Sequence, residues 1–136
     1  MTIMIDTNVI LDVLMEREPF FADSYGALKK ALEEEAVCLV SATAVTDIFY
    51  LLHKGLKNKA KALEQMERLL QIVSVADTLS IDIQIALSSA AADFEDAVVA
   101  AVAERNKADY ILTRDTKHYK GSAAEAITPK HFFQSN

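Results

Sequence analysis

The chain has 136 residues, a formal net charge of −6, 51% hydrophobic and 25% charged residues, and one cysteine. A chain of this length buries roughly 68–70% of its unfolded surface, so it folds without disulfides or a structural metal, and its residue balance excludes intrinsic disorder. No run approaches the roughly 18 apolar residues of a membrane helix, and no leader pattern precedes the first apolar run, so the expected location is the cytoplasm.

Residues 2–5 read as a short buried strand. Val9, Ile10, Val13 and Leu14 then recur at helical spacing, with Thr7 or Asn8 as the N-cap. Glu16-Arg17-Glu18-Pro19 breaks that helix. Phe20, Phe21, Tyr25, Leu28 and Leu32 carry a second helix that ends in Glu33-Glu34-Glu35. Val37 to Val40 is a second strand, with Cys38 as a small core residue on it. Ser41 caps a third helix that stops near Gly55. Lys59 to Leu70 is an amphipathic helix, and Ile72 to Val75 a third strand. Leu79 to Ala92 reads as helix, although Ile81, Ile83 and Ile85 alternate as a strand would. Asp93 to Asn106 is an alanine-rich helix, and residues 109–113 are a fourth strand. Ala126 to Phe133 adds a short strand and a helical turn.

Strands separated by helices imply a single α/β domain over 1–136 with a mostly parallel sheet. Such sheets bind ligands at the carboxyl ends of their strands. That edge collects acids. Asp6 and Asp115 follow strands, Asp47 lies early in a helix entered from a strand, and Asp93 and Asp96 open another helix.

Each acid has an ordinary explanation when taken alone. Asp6 is a candidate cap for the first helix, and Asp93 and Asp96 match the N-cap and N3 positions of theirs. Asp47 fits an exposed stripe, Asp115 a turn, and Asp12 the solvated side of the first helix. Together these explanations weaken. At about 4 Å and an effective dielectric of about 20, each like-charged pair costs on the order of 4 kcal/mol. A divalent cation relieves that repulsion, and Mg²⁺ or Mn²⁺ prefers oxygen ligands. Carboxylates holding metal without a His or Cys set suit phosphodiester chemistry, in which metal activates water and stabilises charge on the attacking and leaving oxygens.

Asp6-Thr7-Asn8-Val9-Ile10-Leu11-Asp12, Ser41 with Asp47, Asp93-Phe94-Glu95-Asp96-Ala97 and Thr113-Arg114-Asp115 resemble the PIN-domain nucleases in order and spacing, over residues 3 to 119. The resemblance implies a small α/β/α sandwich and a Mg²⁺- or Mn²⁺-dependent ribonuclease that hydrolyses RNA. Many members are toxins of VapBC-type pairs, so an antitoxin partner and a homodimer are implied too. Asp6, Asp96 and Asp115 match metal-binding acids, and Asp93 an additional acid of some members. Asn8 and Thr113 match residues that orient those carboxylates. Asp47 stands where the family usually has glutamate, one methylene longer, so its reach to a cation would run through water.

Arg114, Lys117 and Lys120 flank Asp115 and are the better-placed candidates for RNA phosphates, Arg114 and Lys117 first; Lys54, Lys57, Lys59 and Lys61 read as a solvated helix start. His53, His118 and His131 show no mutual spacing for ligation. A competing reading is a non-catalytic module whose acidic groove takes a basic segment of a partner protein or RNA. A receiver-type or phosphatase-type domain ranks lower; Asn8 breaks the Asp-x-Asp that a haloacid dehalogenase phosphatase needs.

Overall fold

The computed structural model describes residues 1–89 and 93–135. In chain order the elements are β1 (Thr2–Ile5), α1 (Thr7–Leu14), α2 (Phe21–Glu33), β2 (Val37–Ser41), α3 (Ala42–Leu56), α4 (Lys59–Ile72) and β3 (Ser74–Ala76). There follow α5 (Ser80–Leu87), α6 (Phe94–Arg105), β4 (Tyr110–Leu112), a 3₁₀ turn (Thr116–Tyr119), β5 (Glu125–Ile127) and α7 (Pro129–Gln134). The five strands form one sheet in the order β3-β2-β1-β4-β5, and every pairing is parallel.

Alternation along the central strands sorts the core into two layers. Ile3, Ile5, Cys38 and Val40 point to one face, where Val9 and Ile10 of α1, Leu28 of α2, Ile48 and Leu52 of α3 and Leu69 of α4 pack with Phe132 of α7. Met4, Leu39 and Ile111 point to the other, against Ala86 of α5 and Ala97, Val98 and Val102 of α6. The result is an α/β/α sandwich, as the resemblance to PIN domains implies. Each fully buried Ile or Leu contributes roughly 1.5–3 kcal/mol of transfer free energy.

Strand order reverses at β1, which has β2 on one side and β4 on the other. This is the switch point at which an open parallel sheet presents a crevice. The chain leaves β1 directly into Asp6.

Several boundaries and caps differ from expectation. Asp6 itself is the N-cap of α1, with its Oδ1 accepting from the Thr7 N–H; neither Thr7 nor Asn8 caps it. The α4 helix runs on to Ile72 because Leu69 and Val73 both bury on the core, which delays β3 to Ser74. The α3 helix ends at Lys57, which takes the left-handed φ of 54°. A Cβ at Gly55 would crowd only the Met15 methyl group, the movable end of that side chain. The segment after Leu79 is helical from Ser80 to Leu87, with Ile81 and Ile85 together on its exposed side; positions 90–92 of the expected helix lie outside the described residues.

Asp12 is the largest departure. Expected in solvent, its carboxylate is fully buried and held by Arg17, Arg114 and Ser24. Among the described residues, no helix is long and apolar enough to cross a membrane.

Candidate metal centre

The carboxyl ends of β1 and β4 bring Asp6 and the segment Thr113-Arg114-Asp115 side by side. The Asp6 N–H donates to the Leu112 carbonyl at 2.9 Å, which continues the β1–β4 pairing by one residue. The Asp6 carboxylate is then fixed at both oxygens. Oδ1 accepts from the Thr7 N–H at 2.7 Å, and Oδ2 accepts from Thr113 Oγ1 at 2.8 Å and from the Tyr119 hydroxyl at 3.0 Å.

Tyr119 closes the 3₁₀ turn and is almost fully buried. Its hydroxyl also lies 3.2 Å from Asp96 Oδ1. Asp96 stands in the first turn of α6, where Asp93 is the N-cap and accepts from the Asp96 N–H at 2.9 Å. The other Asp96 oxygen meets His118 Nδ1 at 2.5 Å.

Asp115 is exposed and lies to the side of this pair. Asn8 Nδ2 donates to its Oδ2 at 3.2 Å, while Asn8 Oδ1 accepts from the Arg114 N–H at 3.3 Å. Thr113 Oγ1 accepts from the Asp115 N–H at 3.0 Å and donates to Asp6. Thr113 therefore links Asp6 to Asp115, and Asn8 holds Asp115 and the Arg114 backbone to the start of α1.

The acids strain one another electrostatically. Burial lifts the Asp6 carboxyl above the ordinary range, Asp115 adds to the rise, and hydrogen bonds from Thr113, Tyr119 and Thr7 offset part of it. Asp96 is raised by burial first and then by the charge of Asp6, with His118 pulling the other way. The hydrogen bond to Asp96 holds the His118 imidazole above its ordinary value. Burial, then the two carboxylates, push the Tyr119 phenol far upward, so it remains protonated. That phenol has a single proton for two carboxylate acceptors. Carboxylates gathered closely enough to raise one another's pKa, with the Asp6 pair of oxygens buried, fit a divalent cation.

Of these residues Asp6 and Asp96 line a cleft of about 540 Å³, together with Asp47, Glu95, Tyr50 and Phe94, whereas Asp93, Asp115, His118 and Tyr119 lie outside its lining. Asp47 is exposed and opens into the same cleft from α3. The 3₁₀ turn also explains two residues the sequence did not single out for the site. His118 and Tyr119 follow Asp115 by three and four positions, so a single helical turn folds them back beside it. Only the unpredicted turn makes that spacing meaningful.

The two foremost phosphate candidates part company. The Arg114 guanidinium is committed to Asp12, with Nε to Oδ2 at 2.8 Å and Nη2 to Oδ1 at 3.2 Å, and it lies 3.8 Å over the Phe20 ring. Lys117 is exposed on the 3₁₀ turn. Lys54 stands about 16 Å along α3 from Thr43 at the acidic end of the cleft.

A sequence profile described as the PIN domain matches residues 2–117. The chain belongs to the PIN-domain family. No curated protein sequence matches it. Three solved structures share the PIN-domain fold at low identity. FitAcB from Neisseria gonorrhoeae is 22% identical with a TM-score of 0.72, over 95% of this chain and 99% of that one. A toxin–antitoxin complex from Klebsiella pneumoniae is 17% identical with a TM-score of 0.65, over 93% and 96%. VapC20 from Mycobacterium tuberculosis, a toxin that cleaves the sarcin–ricin loop, is 18% identical with a TM-score of 0.63, over 80% and 86%. In this PIN domain the cleft and its acids lie at the sheet's switch point.

Proposed function

We propose that this PIN-domain chain is an endoribonuclease that depends on Mg²⁺ or Mn²⁺ and serves as the toxin of a toxin–antitoxin pair. The observation that carries the reading is the meeting of Asp6 and Asp96 across one buried hydroxyl at the floor of the cleft, with Asp115 tied to Asp6 through Thr113. Asp6, Asp96 and Asp115 would hold the cation, with Asp93 beside Asp96. When bound, the cation supplies positive charge to the scissile phosphate and a lowered pKa to the attacking water. Asn8 and Thr113 keep the carboxylates oriented. Asp47 faces the substrate side from α3. Tyr50 and Phe94 give the cleft aromatic surfaces on which unpaired bases stack. Lys117 is the phosphate contact that this reading retains.

The partner in this reading is an antitoxin that places a basic segment in the acidic cleft; one structure of similar fold is itself a toxin–antitoxin complex. A homodimer is part of it too. Ile81, Ile85 and Leu87 leave an apolar surface on α5, which a second copy would cover.

RNA cleavage by wild type and Asp6→Asn, with Mn²⁺ and with chelator, tests the reading. Cleavage by wild type alone, lost on chelation, supports it; equal cleavage by both proteins sinks it. Asp47 favours a second reading, a weakly active module that mainly binds its partner. Its carboxylate is one methylene shorter than the family's usual glutamate and accepts no hydrogen bond among the described residues. A basic peptide that stabilises the protein where Mn²⁺ does not would select that reading.

A further inference from the structure

The Asp96–His118 contact is more than a surface ion pair. A ring nitrogen of His118 and one carboxylate oxygen each of Asp96 and Asp93 all lie within 4.8 Å of one another, and His118 Nδ1 is 2.5 Å from Asp96 Oδ2. Two ligands on one octahedral cation stand about 3 Å apart when adjacent and about 4.2 Å apart when opposite, given bonds of about 2.1 Å. The group is therefore close to the span that one cation can bridge. The imidazole is about 44% exposed, so an ion and its waters can reach it and the ring can shift by a few tenths of an ångström. Its anchor is rigid. Tyr119, the next residue, is buried and bonded to Asp6 and Asp96, and the His118 N–H donates to the Asp115 carbonyl at 3.0 Å. The imidazole is thus held beside Asp96 by the same turn that carries Asp115.

We propose that His118 is a nitrogen ligand to a divalent cation held with Asp93 and Asp96, and that this position favours a first-row transition cation over Mg²⁺. The inference rests on the reading of Asp96 as a cation ligand given above. It adds a nitrogen donor to the carboxylates of Asp93 and Asp96. The chemical reason is donor softness: imidazole suits first-row transition ions, whereas Mg²⁺ favours all-oxygen surroundings and keeps its waters. Asp96, with an oxygen toward Tyr119 and another toward His118, is the residue placed to serve both this position and the one beside Asp6. Binding exchanges the proton shared by His118 and Asp96 for the metal, and that proton leaves to solvent.

The test is metal binding to the full chain, read without RNA. Mn²⁺ bound to wild type is examined by pulsed electron paramagnetic resonance for the ¹⁴N modulation of a directly bound imidazole. Mn²⁺, Co²⁺ and Mg²⁺ affinities are measured for wild type, His118→Gln and Asp96→Asn. The expected result is ¹⁴N coupling in wild type and none in His118→Gln, with Mn²⁺ and Co²⁺ affinity reduced about tenfold or more and Mg²⁺ affinity changed less than about threefold. Mn²⁺ binding without ¹⁴N coupling overturns the inference and leaves the nuclease reading standing, as does an unchanged Mn²⁺-to-Mg²⁺ preference in His118→Gln. Failure of wild type to bind either cation overturns both.

Discussion

Arg114 grips Asp12 through two nitrogens, at 2.8 and 3.2 Å, across a separation of 102 residues. The pair ties the segment after β4 to the buried side of α1. Arg17 completes it, with Nη2 2.9 Å from Asp12 and 3.0 Å from the Asn8 carbonyl. The residue before Asp115 and the turn holding Asn8 thus share one buried anion.

Replacing Asp12 by Ala is expected to destabilise the protein by roughly 2–4 kcal/mol. Two guanidiniums lose their carboxylate, and their partial exposure keeps the loss at the lower end of the range for broken buried pairs. Urea denaturation measures it. Arg114→Ala should likewise lower stability, and it should change the salt dependence of RNA binding less than Lys117→Ala does. A larger salt effect for Arg114→Ala would return that residue to the substrate path.

Asp6 gives a pH dependence with a definite sign. Its folded carboxyl titrates above the ordinary aspartate range, chiefly because of burial. Its contribution is therefore fully present below the unfolded pKa and is lost as pH rises through the raised folded one. In chelator-treated protein, the stability of wild type relative to Asp6→Asn should increase as pH falls toward 4. Denaturation curves at several pH values, compared between the two proteins, check the trend. A difference that is flat across that window, or that shrinks on acidification, contradicts it.

Tyr119→Phe removes one hydroxyl from between Asp6 and Asp96 and leaves the ring in place. Cation affinity is expected to fall about 10- to 100-fold, the usual cost of losing a group that orients metal ligands. Calorimetric titration with Mn²⁺ reads this directly. An unaltered affinity would mean that the hydroxyl only fills space.

Asp47→Glu restores the methylene that the family's usual glutamate supplies. Cleavage of RNA under Mn²⁺ should rise roughly tenfold, since about 1 Å of misplacement at a reacting centre can cost far more than that. Single-turnover rates for the two proteins decide the matter. No gain would place Asp47 outside the chemistry.

The amino-acid order alone was enough for the alternation of strands and helices, the parallel sheet and the arrival of Asp6, Asp96 and Asp115 at one edge. Hydrophobic periodicity and strand-to-helix order are local properties, and the right-handed logic of parallel sheets turns them into a layout. Tertiary structure decided the rest. Asp12 looked solvated because its helical position says nothing of Arg114, which arrives from 102 residues away. His118 and Tyr119 looked ordinary because the turn that brings them to Asp96 and Asp6 is packed against α6 and β5, contacts that no local sequence pattern shows. Burial, and the partners that make burial tolerable, belong to the assembled chain, because desolvation depends on neighbours that no local window contains.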